Sequence, residues 1–129
     1  MIHRRPDWSL LIGPEEKLFD SLQLGGNGGV SGGANLFPKL YVKLVEAQRA
    51  GHLSRAQEFQ RQIQRVSDSF YRIGKYSSSI IKGIKCAASC LGLCDDFMAE
   101  PFHRFRPAEA ELLKTRLKEI QAEVSNLDL

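Results

Sequence analysis

Apolar positions along this chain fall into two regimes, one of short blocks closed by glycine and one of long stripes at helical spacing. Trp8-Ser9-Leu10-Leu11-Ile12-Gly13 is a brief apolar run ended by glycine, the pattern of a buried parallel strand. Pro14 then opens a helix, with Glu15 and Glu16 in a first turn that favours negative charge. Leu18, Phe19 and Leu22 form its apolar stripe as far as Gly25-Gly26. The block Gly28-Gly29-Val30-Ser31-Gly32-Gly33-Ala34-Asn35 is poor in side chains and reads as a second strand whose backbone something approaches closely. Pro38 starts a second helix, in which Leu40, Leu44, Val45 and Ala47 share a face, and Gly51 ends it.

From His52 onward the spacing is helical only. Phe59, Ile63, Val66, Phe70 and Ile73 recur at steps of four and three, as do Ile80, Ile84, Ala87 and Leu91, and then Leu113, Leu117, Ile120 and Val124. Gly74, Gly92 and the stretch from Pro101 to Pro107 separate the three stripes. Residues 1–51 therefore read as two strand-helix units and residues 52–129 as a helical segment. Strand-helix alternation implies a parallel sheet, because parallel neighbours need crossovers. Two parallel strands leave edges and faces uncovered, so further strands are expected on the N-terminal side.

Composition adds little to this picture but removes several function classes. The 129 residues are 43% hydrophobic, which suits an ordinary globular domain. Eighteen basic and 15 acidic residues are intermixed and leave a net charge of +3, so the sequence shows no footprint for nucleic acid or membrane. No apolar run approaches the roughly 20 residues that a bilayer requires, and Met1 to Asp7 has no signal-peptide core, so a cytoplasmic location is expected. Cys86, Cys90 and Cys94 are odd in number and share one helical stretch. They read as buried small hydrophobes rather than as disulfide partners or metal ligands.

Particular residues carry a resemblance. Leu10-Leu11-Ile12-Gly13, the run from Leu24 through the glycine-rich block to Pro38, and Ala47-Gln48-Arg49-Ala50-Gly51 resemble strands seven and eight, with their helices, of the dihydrodipicolinate synthase / N-acetylneuraminate lyase family. Ile84-Lys85-Cys86-Ala87-Ala88 through Leu91-Gly92 is similar to that family's C-terminal lysine-alanine-alanine helix. The segment Ala99-Glu100-Pro101-Phe102 stands where the family has an arginine, a proline and a leucine. The resemblance covers nearly the whole chain. Its most specific part is the glycine-rich strand leading into Ala34-Asn35.

The resemblance implies an α/β chain consisting of the last two units of a (β/α)8 TIM barrel, followed by a C-terminal three-helix segment. It also implies a class I lyase or aldolase in which a lysine on strand six forms a Schiff base with pyruvate or another 2-oxo acid and a strand-four tyrosine relays the proton. Counted by strands, Met1 falls after strand six, so the resemblance places no catalytic residue in this chain. It assigns substrate contacts to Gly13 at the end of strand seven and Val30 on strand eight, with Ser31 and Gly32 as close neighbours, at the mouth where barrel sites lie. Gly32-Gly33 departs from relatives with larger residues there. The family resemblance implies no cofactor and no metal. It does imply a small 2-oxo acid as ligand and either homo-oligomers or association with the missing barrel portion.

Several other chemistries are weaker readings of the same residues. Gly83-Ile84-Lys85 imitates the family's glycine-isoleucine-lysine signature, yet Lys85 lies in an amphipathic helix well after strand eight and reads as structural. An outer helix does not supply the apolar mouth that would deprotonate its amine. The cluster from Gly25 to Gly33 matches neither a dinucleotide nor a P-loop spacing. His3, His52 and His103 are scattered without a serine or carboxylate at a triad spacing. Glu15 and Glu16 serve the helix dipole. Two alternatives to a lyase fragment stay open, a non-catalytic interaction module that dimerises or docks onto a full-length relative, and a truncated reading frame.

Overall fold

A computed structural model describes residues 5, 7–127 and 129. His3 and the rest of the opening lie outside the described residues, apart from Arg5 and Asp7. The elements run β1 (Leu11–Ile12), a 3-10 turn (Glu15–Lys17), α1 (Leu18–Gln23), β2 (Gly28–Gly29), a second 3-10 turn (Gly32–Asn35), α2 (Pro38–Arg49), α3 (Leu53–Phe70), α4 (Ser79–Cys90) and α5 (Pro107–Ser125). The chain is α/β, mostly helical with one small sheet. It forms two compact units, dividing inside α3 after Gln64.

In the first unit β1 and β2 pair in parallel, Leu11 against Gly28 and Ile12 against Gly29. The ladder continues beyond both strands. Asn27 N–H donates to Leu10 O at 2.8 Å, Leu10 N–H donates to the Asn27 side-chain oxygen at 2.7 Å, and Val30 N–H donates to Ile12 O at 2.9 Å. Asn27 thus uses its side chain to supply an acceptor the backbone lacks. Pro38 begins α2, which buries Leu40, Tyr41, Leu44 and Ala47, with Leu18 of α1 and Ala56, Phe59 and Ile63 of α3 also in the core. Tyr41 takes the buried place that spacing gave to Val45, which is only half-buried.

The expected strand across Gly28–Asn35 is much shorter in the structure. After Gly29 the chain leaves the sheet and closes a 3-10 turn, in which Ala34 N–H donates to Ser31 O and the Asn35 side-chain amide donates to Gly32 O. These local bonds satisfy backbone groups that a sheet would otherwise have to pair. The helix expected from Pro14 likewise starts as a 3-10 turn and becomes α-helical only at Leu18.

In the second unit Val66, Phe70, Ile73, Leu113, Leu117, Ile120 and Val124 are buried, as their stripes require. The α4 stripe differs from expectation. Ile80 and Ile81 are close to half exposed, and the buried face carries Ser79, Gly83, Cys86, Ala87 and Ala88. Small side chains win this face because Phe70 comes so near that a Cβ on Gly83 would sit 2.4 Å from the Phe70 carbonyl oxygen. Burying an isoleucine there would demand room that the backbone contact denies. Arg116 donates to Ser69 O at 3.0 Å, and Arg65 pairs with Glu123 through both carboxylate oxygens.

Of the three cysteines only Cys86 is buried; Cys90 and Cys94 are exposed, against the expectation for all three. Burial chiefly, with Cys90 nearby, pushes the Cys86 thiol up to about 12 from an ordinary 9.0. A thiol raised on folding contributes its full stability below its unfolded value, so that contribution is lost as pH climbs from about 9.0 towards about 12. Iodoacetamide treatment of the native chain near neutral pH, read by mass spectrometry, is expected to modify Cys90 and Cys94 and to reach Cys86 only after denaturation. Equal labelling of all three would contradict the burial.

Candidate functional site

Parallel pairing sets Gly13 and Val30 side by side. Gly13 follows β1 directly, Val30 follows β2, and the bond from Val30 N–H to Ile12 O fixes their register at the C-terminal ends of the two strands. Ser31 and Gly32 come next and lead into the second 3-10 turn. The four residues singled out in the sequence are therefore contiguous in space. Their side chains diverge. Val30 is 71% exposed, whereas Ser31 is only 9% exposed.

Ser31 faces a cavity of about 470 Å³ inside the first unit, shared with Leu11, Leu18, Gly29, Tyr41 and Val45. Gly13, Val30 and Gly32 do not line it. The Ser31 Oγ is buried and has no hydrogen-bond partner. It also makes no capping bond to the turn that Ser31 begins. A buried hydroxyl without a partner carries a desolvation penalty of about 1–3 kcal/mol, which a polar ligand group or a water could relieve.

The turn beside this hydroxyl is held by a residue whose role the sequence did not disclose. Glu15 is 2% exposed, and its carboxylate accepts the Gly33 N–H at 2.9 Å. It is not a solvated dipole partner, in contrast to the reading from its place at a helix start. A Cβ on Gly33 would lie 2.1 Å from the Tyr41 hydroxyl and 2.9 Å from the other Glu15 oxygen, so only glycine fits between them. Gln60 of α3 fixes the same region, accepting the Phe19 N–H at 2.9 Å and donating to Glu15 O at 3.0 Å. No periodicity marks these polar ties, since each joins residues far apart in sequence.

The strand ends offer a hydroxyl at Ser31 but no amine. Residues 13–14 and 30–37, at the strand ends, contain no lysine. Lys85 stands on α4 in the second unit. Among the described residues no cluster of three or more histidines, cysteines or carboxylates could hold a metal ion, and no helix is long and apolar enough to cross a membrane.

Comparison with known proteins is consistent across sequence and structure. Residues 1–120 match the family model described as the dihydrodipicolinate synthetase family. A 4-hydroxy-tetrahydrodipicolinate synthase from Chlorobaculum parvum is 26% identical over 121 residues, which span 93% of this chain and 39% of the relative. A probable 2-dehydro-3-deoxy-D-pentonate aldolase from Escherichia coli is 28% identical over 89 residues, 69% of this chain and 28% of the relative. The solved dihydrodipicolinate synthase from Bacteroides thetaiotaomicron superposes with a TM-score of 0.87 at 41% identity, covering 92% of this chain and 40% of that one. The chain thus spans about two-fifths of the length of these last synthases.

Proposed function

The chain belongs to the dihydrodipicolinate synthetase family, and we propose that it supplies the last two strand-helix units and the C-terminal helices of a (β/α)8-barrel lyase or aldolase acting on pyruvate or a related 2-oxo acid. In this reading the Schiff-base lysine is contributed by another part of the barrel. The backbone at Gly13 and Val30, with its neighbours Ser31 and Gly32, lines one side of the 2-oxo acid pocket.

The observation that carries the proposal is the pair of parallel strand ends, aligned by the Val30–Ile12 bond, where the exposed Gly13 and Val30 stand together. Barrel enzymes place their sites at such ends. Glycines there let substrate approach the backbone, and the absence of lysine from the strand ends means that an imine needs an amine from elsewhere. The uncovered side chains fit the same reading. Leu11 is 53% exposed, Val30 71% and Val42 53%, large apolar side chains that further strands and helices would cover. The partner is accordingly the remainder of a barrel.

Borohydride trapping tests the reading. Incubated alone with pyruvate, reduced and weighed by mass spectrometry, the chain is expected to gain no adduct. Mixed with a separately produced piece of a relative bearing strands one to six, it should co-elute with that piece on size exclusion, and the adduct should appear on the relative's lysine. An adduct on Lys85 or any other lysine of this chain, or failure of the two pieces to associate, overturns the proposal.

A further inference from the structure

A second concave surface lies within the helical unit, and its chemistry differs from that of the strand ends. The cleft, of about 620 Å³, lies between the segment entering α4 and the segment entering α5. Lys75, Lys82, His103, Arg104 and Arg106 line it, against the single carboxylate of Glu109. Arg104 is paired with Asp96 at 3.2 Å. One oxygen of Glu109 is taken by the Arg106 backbone N–H at 2.9 Å. Lys75, Lys82 and the Arg106 guanidinium have no carboxylate partner among the described residues.

Three unpaired cations around one concavity repel one another, and the walls concentrate their field where a ligand would sit. The start of α4 adds hydroxyl-bearing residues to the lining. Ser78 caps that helix without a side-chain capping bond, its first turn holds no acidic residue, and both Ser78 and Ser79 line the cleft. Ser78, whose side chain has no capping duty, thus lines the same cleft as the cations, while the first N–H groups of α4 already donate to Tyr76 O and Ser77 O.

From this placement we infer that the cleft is a binding site for a phosphate-bearing small molecule. A monocarboxylate would neutralise one of the three cations. A phosphate ester or diphosphate brings two or more charges in a compact group, with several strong acceptors for the ammonium, guanidinium and hydroxyl donors. The volume suits a small organic phosphate, since ligand clefts run from about 300 to about 1,000 Å³. The cleft is built wholly from residues of the second unit.

Isothermal titration of the full chain with pyrophosphate and with AMP tests the inference, with succinate as a dicarboxylate control. Saturable binding of both phosphates is expected, weakening as salt rises. Lys82→Ala and Arg106→Ala should each reduce affinity by about tenfold, the equivalent of one charge-assisted hydrogen bond, while Lys118→Ala on the exposed side of α5 should leave it unchanged. Amide chemical shifts should move in residues 74–82 and 101–109. Absence of saturable phosphate binding, succinate binding as tight as pyrophosphate, an equal loss in Lys118→Ala, or shifts confined to other segments would each overturn it.

Discussion

Gly83→Ala is expected to destabilise the chain by about 2 kcal/mol, although alanine is the better helix former. Propensity alone would favour the change by about 1 kcal/mol. The opposing effect is larger. The new methyl would stand 2.4 Å from the Phe70 carbonyl oxygen, a backbone atom at the end of α3 that cannot swing aside as a side-chain tip can. Relief requires α4 to move away from Phe70, a residue with no exposed surface, and overpacking of this kind costs about 1–3 kcal/mol or more. Urea unfolding of the two proteins measures the difference, and Gly83→Val should lose more again. A Gly83→Ala protein that is more stable than the parent would show that helix propensity, not the interhelical approach, governs this position.

Glu15→Ala is expected to lose about 2–3 kcal/mol, from a buried N–H left without an acceptor and a charge-assisted bond removed. Gly33 is buried and its N–H points at the Glu15 carboxylate, so no solvent waits to replace the lost partner. The neighbouring Glu16→Ala, which touches no such group, should change stability by no more than about 0.5 kcal/mol. The contrast is diagnostic. If the two variants unfold at the same urea concentration, Glu15 acts as a helix-end charge and the Ser31–Asn35 turn is held by other means.

These residues also show where the sequence was informative. Two of the periodic stripes read correctly, because burial of a helix face is a repeating constraint. The stripes Phe59–Ile73 and Leu113–Val124 are buried as their spacing requires, and Pro38 stands at the start of α2 as its fixed φ favours. Gly13, Val30, Ser31 and Gly32 could be singled out only through resemblance, and the parallel register sets them next to one another. The buried face of α4 was not legible. Ile80 and Ile84 outrank Ser79 and Gly83 in hydrophobicity, yet proximity of Phe70 selects size over hydrophobicity. Glu15 was misassigned for a related reason. Its environment is made by Gly33 and Gln60, which are distant in sequence and carry no periodic signal. The cationic cleft was hidden for a different reason, since Arg106 lies far from Lys75 and Lys82 in sequence and only folding brings the three to one cleft.

Gln60 has a consequence for how this chain can drift in sequence. Its amide accepts from Phe19 and donates to Glu15 O at once, so position 60 needs a side chain that gives and takes at a fixed reach. Glutamate accepts without donating, and lysine or arginine donates without accepting. Each of these charged exchanges would strand one end of the clamp. The position is therefore narrowly tolerant although it lies on a helix with abundant polar residues, and variation among close relatives should pass around it.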